Sequence, residues 1–582
     1  MKLSNLIIKN FRNFEQVDIE LGNKSVIFGM NDVGKTNLLY SLRYILERKI
    51  RSQGFFESDY HERKIENAIE ITLQIDLSDR ETDEDSQNII SKIGKVRSSN
   101  NLDTFYFQVK GDYDDSEMMG IPTLFWGDDY YNLEPIPQKG DFSELDKIFN
   151  IIYVDPTIEL DSVFSKHKRK LLNQKNFSDE DVVIYNDIKD ITTNMNRKIG
   201  SMEMIQNFQQ VLTNEYHQLK KENISIEFQS EMAISGVFSD ITPYIKKSGD
   251  DNLYPTSGDG RKKILAYSLL NHVTKEYDSD KIPIFLIEEP ENSLHRSMQI
   301  ALSKQLFDQS IYKYFLLSTH SSELLYEMDR AVLVRIYSKD KIICQSHMYN
   351  ISPEFSSMKK ELNESLTKAL FAEKVLLIEG PSEKVLFEKI LSEVDSTYEL
   401  NGRFLLMVDG IKFKPYYETL RALNIIPIVK TDNDIRAKKG NLGTFELLGF
   451  NRCRSILNKK NLDDVYIDYS KEDEKGEVTW LVSEKERLVK EEKVNLFTKK
   501  KSLVSKFKEN NIFLSKIDLE GDLFEAIPKI LESEFGTKDP VGKLQDKKML
   551  NMIQLTNTLT KKDCKTIYDH PNFECLQKLV ND

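Results

Sequence analysis

The chain has 582 residues, 40% hydrophobic and 30% charged, with a net charge of −13. That length predicts two to four domains, and that composition excludes a disordered chain. The acidic balance excludes wholesale coating of nucleic acid and leaves a local basic groove for any phosphate contact.

Residues 1 to about 150 read as mixed α/β, with strands over Leu3–Ile8 and Ser25–Phe28 and clean alternation at Ile69, Ile71, Leu73, Ile75 and Leu77. The opening MKLSNLIIKNF is strand-like rather than a signal peptide, and no stretch approaches a membrane span. Four cysteines without paired metal spacing (Cys344, Cys453, Cys564, Cys575) read as reduced thiols. A cytoplasmic location without membrane contact is expected.

GMNDVGKT, Gly29–Thr36, lies between the strand KSVIF and a helix carrying Leu38, Leu39, Leu42 and Ile45. This setting gives G-x-x-x-x-G-K-[ST] its physical meaning. Backbone N–H groups from Asn31 to Gly34 (Asn31, Asp32, Val33, Gly34) and the helix N-terminus cradle phosphate. Lys35 reaches the β/γ-phosphates and Thr36 meets Mg²⁺. A glycine turn with a surface lysine is the plainer alternative.

Between Ser178 and Lys221 the period becomes helical: Ile184, Ile188, Ile191, Met195 and Ile199, then Met202, Ile205, Phe208, Leu212, Tyr216 and Leu219, with Gly200 between. This predicts a helical hairpin that either packs in a core or acts as a dimerisation arm. TSGDGRKKILAYSLL follows, where Ser257 and Gly258 open a helix suited to an anion, with Arg261 and Lys262 adding charge. IPIFLIEEPENSLH ends an apolar strand on Glu288, a candidate for the Mg²⁺ shell, and Glu289, a candidate to orient or deprotonate water. FLLSTHSSELL ends another strand at His320, suited to sensing a γ-phosphate. The order of these four elements resembles ABC-type ATPase heads of the structural-maintenance and recombination-repair group. That resemblance implies ATP as ligand, a Ser-Gly element completing a second subunit's site, and weaker contacts from Arg12 and Asn13. Glu288 departs from the aspartate usual there.

From Ala369 onward the pattern is β (375–379), α (382–392), β (404–409), α (414–424), β (426–432), which implies parallel strands with helical crossovers. GEVTWLVSEKERLVKEEK reads as a solvated insertion. Ligands of parallel sheets gather beyond the carboxyl ends of the strands. Glu379 ends one strand, with Glu383 one turn later; Asp432 and Asp434 end another; NIFLSKIDLEGDLFEAI delivers Asp518, Glu520 and Asp522. Carboxylates in such number repel one another, and Mg²⁺ or Mn²⁺ resolves the conflict. The expected division gives Glu379, Glu383, Asp518 and Glu520 to one ion and Asp432 and Asp434 to the second. Glu379 is also a general-base candidate, Asp409 a weaker ligand candidate, and Lys548 the expected neutralising lysine, with Lys543 and Lys547 in competition. A glutamate after a first strand and D-x-D after a later one resemble the TOPRIM domain.

The expected fold is therefore α/β: an ABC-type ATPase domain (1–350, helical insertion about 155–235) followed by a TOPRIM nuclease domain (351–582). The combination is similar to the OLD (overcoming lysogenization defect) nuclease family, most closely its Gabija anti-phage branch, on FRNFE, IFGMNDVGKTN, YPTSGDGR, LIEEPE, SLHRSMQIALSKQLF, LIEGPSEK and KTDND. The resemblance implies a homo-oligomeric (dimeric or tetrameric) endonuclease that nicks double-stranded DNA, restrained by nucleotide and joined by a helicase-like partner, GajB. It also implies catalytic roles for Glu379, Asp518 and Lys548. A RecF-like repair ATPase or clamp without nuclease activity is the alternative; it leaves the acids from Glu379 to Asp434 without a role.

Overall fold

The computed structural model describes residues 1–30, 33–93, 103–139, 142–158, 160–171, 178–219, 224–228, 230, 244–246, 252–255, 258–277, 280–338, 341–408, 413–472 and 478–581. It divides into two compact units. Met1–Tyr153, Ile284–Glu289 and Gln299–Asp582 form the first; Val154–Pro283 with Pro290–Met298 form the second.

Three large sheets lie in the first unit, beside smaller two- and three-stranded ones. One is antiparallel, in the order Phe14–Glu20, Lys2–Phe11, Ile69–Asp76, Thr104–Asp114, Met119–Gly127, Glu134–Pro135. Ile69, Ile71, Leu73 and Ile75 are fully buried, as their alternation predicts. The next runs Phe149–Val154, Ile282–Glu288, Phe315–Ser318, Lys24–Phe28, Ala331–Ser338, Ile342–Tyr349. Its four central strands are parallel, and Glu288, Ser318 and Ile27 share one register level. Phosphate loop, acidic pair and histidine therefore leave the same edge. FLLS is buried at every position, the continuous apolar run expected of a strand covered on both faces.

The remaining large sheet is wholly parallel: Arg403–Met407, Lys374–Ile378, Ile426–Thr431, Ile512–Leu514. The helix Pro381–Val394 puts Leu386, Phe387 and Ile390 onto Leu376 and Ile378, and the C-terminal helices add Met552, Leu555, Ile567 and Leu576 to that core. The C-terminal helices thereby become part of the sheet's fold and bring Lys548 with them.

In the second unit the hairpin forms as Asp179–Gly200 and Glu203–Leu219. Ser178 caps its first helix by accepting from the Asp181 N–H, with Asp181 reaching back. Ile184, Ile191, Met195, Met202 and Phe208 are exposed, so the core-packing alternative does not hold for these side chains within this chain. The charge-dense segment also departs from expectation. Its helix, Val482–Lys499, packs Leu488 and Val489 with Trp480 against Phe445, Ile467 and Tyr469. No helix among the described residues is long and apolar enough to cross a membrane, and all four cysteines are free.

Candidate functional site

At the phosphate loop, Gly34 has φ 106°, a left-handed conformation that favours glycine. A Cβ there would also lie 2.1 Å from Asn13 Nδ2. The Asn13 amide donates to Val33 O at 2.7 Å, and Arg12 donates to Asn37 Oδ1 at 2.9 Å. Arg12 and Asn13 thus brace the loop and its helix. Lys35 Nζ donates to the carbonyls of Gly29 (2.9 Å) and Met30 (3.0 Å), closing the loop on itself. Asn31 and Asp32 lie outside the described residues.

Glu288 accepts from the Thr36 hydroxyl and, at 2.6 Å, from Tyr153 OH. Sequence reasoning missed Tyr153. Its ring lies under the Arg43 guanidinium, 3.9 Å from the centroid, and edge-on to Tyr40, so the helix after the loop fixes the hydroxyl's aim. Glu289 has φ 40°, donates its N–H to Ser318 O at 2.9 Å, and stands 3.7 Å from His320 Nε2. In the second unit, Gly258 (φ 95°) accepts from the N–H groups of Arg261 and Lys262 at the start of Asp259–Tyr277. Ser257 lies outside the described residues.

The second group of acids sits at the edge of the parallel sheet. Glu379 follows its strand directly and accepts from Thr431 Oγ1, from the Asp432 N–H at 2.9 Å, and from Arg452. The other end of the Arg452 guanidinium lies 3.3 Å from Asp434. Asp432 accepts from Ser515 Oγ at 3.2 Å. Burial, then the negative charge of Glu379, pushes its carboxyl well above the usual range; Lys548 pulls the other way, and Glu383 and Glu520 add to the rise. Glu383 accepts from the Gly380 N–H at 3.1 Å, and burial raises its pKa too. Lys548 opens the helix Lys548–Thr558 and pairs with buried Glu520 at 3.0 Å. Burial alone would lower its pKa, but Glu520, Asp432 and Glu383 outweigh burial and raise it.

Glu379, Glu383, Asp432, Glu520 and Lys548 therefore act on one another electrostatically, and Asp434 joins them through Arg452. Asp518 is engaged differently: it caps Leu519–Ala526 by accepting from the Gly521 N–H at 2.8 Å and also accepts from Gln545 at 3.0 Å. Asp522 pairs with buried Lys430 at 2.6 Å, which occupies it structurally. Asp409 lies outside the described residues. Lys493, from the segment expected to be merely solvated, stands 3.9 Å from Asp434. Arg452 and Lys493 lay outside the sequence motifs; no local signal marks either.

In this arrangement no three His, Cys, Asp or Glu side chains among the described residues are set to hold a metal ion. The donor chemistry nevertheless fits one. Several oxygen acids share an edge, burial and mutual repulsion disfavour the charge on Asp432, and Arg452 bridges Glu379 and Asp434 as a cation.

Fold and sites define an α/β protein with a phosphate-loop head and an acid-edged parallel sheet. A family described as "Protein of unknown function (DUF2813)" matches residues 1–353. The TOPRIM domain of overcoming lysogenization defect protein-like proteins matches residues 370–434. Endonuclease GajA of Bacillus cereus (strain VD045) is 53% identical over 580 residues, spanning 100% of this chain and 99% of that protein. The chain belongs to the Endonuclease GajA family, with an OLD-like TOPRIM domain. Among solved structures, an SMC head domain from Thermotoga maritima matches 60% of this chain and 100% of its own, at 14% identity and TM-score 0.30. An Smc head from Pyrococcus furiosus matches 62% and 99%, at 14% and 0.32.

Proposed function

We propose that this GajA-family enzyme is a metal-dependent endonuclease that nicks double-stranded DNA under the control of ATP bound at its head. In this reading residues 1–350 form the ATPase domain and 351–582 the nuclease domain. The observation that carries it is the meeting of Glu379 and Asp432 across neighbouring parallel strands, with Arg452 and Lys548 as the cations against them.

Glu379, Glu383, Asp432, Asp434 and Glu520 would hold Mg²⁺ or Mn²⁺, with Asp518 supplying a further carboxylate once released from Gln545. Bound metal would activate water and neutralise charge on the phosphodiester. The protein's own part is orientation and counter-charge. Thr431 and the Asp432 N–H fix Glu379 by hydrogen bonds. Lys548, kept protonated by its acidic neighbours, is a standing positive charge for the phosphate. Arg452 would be available to the same phosphate if Glu379 and Asp434 turned to metal. At the head, Lys35, Thr36, Glu288, Glu289 and His320 would bind and sense Mg²⁺–ATP, with Ser257 and Gly258 offered to a second copy.

The exposed apolar face of the hairpin fits a homo-oligomer, a dimer or tetramer. The relationship to GajA supports a cytoplasmic role in anti-phage defence beside the helicase-like GajB.

Supercoiled plasmid tests the reading. Wild type with Mg²⁺ or Mn²⁺ should convert it to open circles, and Glu379→Ala should not; equal conversion by both would end the nuclease assignment. Lys35→Ala should still nick but ignore ATP.

A further inference from the structure

The strands that present the nuclease acids are rooted beside the phosphate loop. The His320 ring stacks on Phe371, with centroids 5.1 Å and planes 28° apart. Phe28, the last residue of the strand entering the phosphate loop, meets the same ring edge-on at 5.8 Å. Phe371 precedes the strand Lys374–Ile378, and the residue after that strand is Glu379.

A second tie runs parallel to the first. Arg335, on the strand paired with Lys24–Phe28, is buried and donates to the carbonyls of Ala372 (3.0 Å), Leu423 (3.2 Å) and Asn424 (2.8 Å). Ala372 lies at the root of the Glu379 strand. Leu423 and Asn424 lie at the root of Ile426–Thr431, which leads into Asp432 and Asp434. Both acid-bearing strands are thus fastened at their amino ends to the head sheet.

The two ties differ in kind. Arg335 holds backbone carbonyls through directed, charge-assisted hydrogen bonds, which resist displacement. Phe371 meets His320 and Phe28 through ring faces and edges, contacts that accept a range of separations and orientations. Beside it lies a cavity of about 390 Å³ lined by Gly29, Met30, Val33 and Leu370, among others, which gives the ring room to follow the loop. A strand of five or six residues spans roughly 17–20 Å and is braced by its neighbours, so a shift at its root reaches its far end.

We infer that Phe371 is the positioning residue through which occupancy of the phosphate loop acts on Glu379, with Arg335 as the fixed pivot. The inference rests on the nucleotide-controlled reading above. Nucleotide contacts at His320 or the phosphate loop move the partners of the Phe371 ring. The ring carries that movement to the Lys374–Ile378 strand, and the Glu379 carboxylate changes its relation to Thr431 and Asp432.

The competing explanation is that Phe371 merely fills a junction. Full-length wild type, Phe371→Leu and Phe371→Tyr separate the two, since leucine keeps apolar bulk and tyrosine keeps the ring. Mg²⁺–ATP affinity is measured by calorimetry, amide exchange over 372–379 with and without Mg²⁺–ATP, and plasmid nicking under the same conditions. Phe371→Leu should bind ATP within about threefold of wild type yet lose the ATP-induced change in exchange, and its inhibition by ATP should weaken at least about tenfold. Phe371→Tyr should retain both responses. An exchange response in Phe371→Leu equal to that of wild type overturns the role, as does wild type that binds ATP with no change over 372–379. If wild type shows the exchange change and Phe371→Leu loses it, but wild type nicks regardless of ATP, the coupling through Phe371 stands and the proposed control of cleavage falls.

Discussion

The two sites are both built at the carboxyl edge of parallel strands, yet they balance their acids differently. Glu288 in the head is held by two neutral hydroxyls, Thr36 and Tyr153. Glu379 in the TOPRIM sheet also has a hydroxyl, Thr431, but it and Glu520 are paired with the cations Arg452 and Lys548. Hydroxyls orient a carboxylate without cancelling its charge; a guanidinium or ammonium both orients and neutralises it. The head therefore presents a Glu288 aimed by hydroxyls beside Glu289, whereas the TOPRIM edge presents several acids whose repulsion is balanced by charge. One arrangement suits a site where the nucleotide brings its own Mg²⁺. The other suits a site where metal must compete with resident cations.

The largest test of this contrast is Lys548→Ala. Removing a preorganised positive charge from the reacting phosphate should lower nicking by about 10²–10³-fold, with Lys548→Arg recovering part of it. Nucleotide affinity, measured on the same protein, should not change. A smaller effect is expected from Arg452→Ala: Mn²⁺ binding without DNA should tighten about tenfold as Glu379 and Asp434 lose their resident cation, while nicking falls. Weaker Mn²⁺ binding would mean that Arg452 orders the acids for metal rather than competing with it.

Acidity gives a third test. Asp432 and Glu383 hold protons more tightly than exposed carboxylates. Metal must displace those protons, so Mn²⁺ affinity should fall as pH is lowered, starting above the ordinary carboxylate range near about 4. At these two carboxyls the native state holds more protons than the unfolded chain in that window, so their contribution to metal-free stability should decline as pH rises through it. Titration calorimetry and thermal melts across pH check both signs, and Asp432→Asn should flatten them. The last test is Tyr153→Phe, which keeps the ring under Arg43 but deletes the hydroxyl. Mg²⁺-dependent ATP affinity should weaken by about tenfold, with affinity in EDTA unchanged, as expected for one hydrogen bond to a charged group.

Much of this was legible in the chain. GMNDVGKT could be read because strand, glycine turn and helix are contiguous and each has a local signature. Glu379, Asp432 and Asp434 could be read because an apolar strand that halts at a carboxylate marks a sheet edge. The segment that delivers Asp518 and Glu520 also delivers Asp522, which the sequence reading gives to neither ion, and only the fold shows that Lys430 takes it. The segment around Lys493 looked like solvent-facing charge because its apolar residues are sparse, and only packing on Phe445 and Tyr469 gives it a buried face.

By itself the sequence determined the strand and helix periods, the phosphate loop, and which acids end strands, since these depend on residues within a few positions of one another. Tertiary structure alone decided that Tyr153 reaches Glu288, that Arg452 bridges Glu379 and Asp434, and that Phe371 lies against His320. Those pairs are separated by 135, 73, 18 and 51 positions in the chain. Hydrogen bonds, ion pairs and ring contacts act over a few ångströms in space, so no local pattern encodes which distant residues they will join.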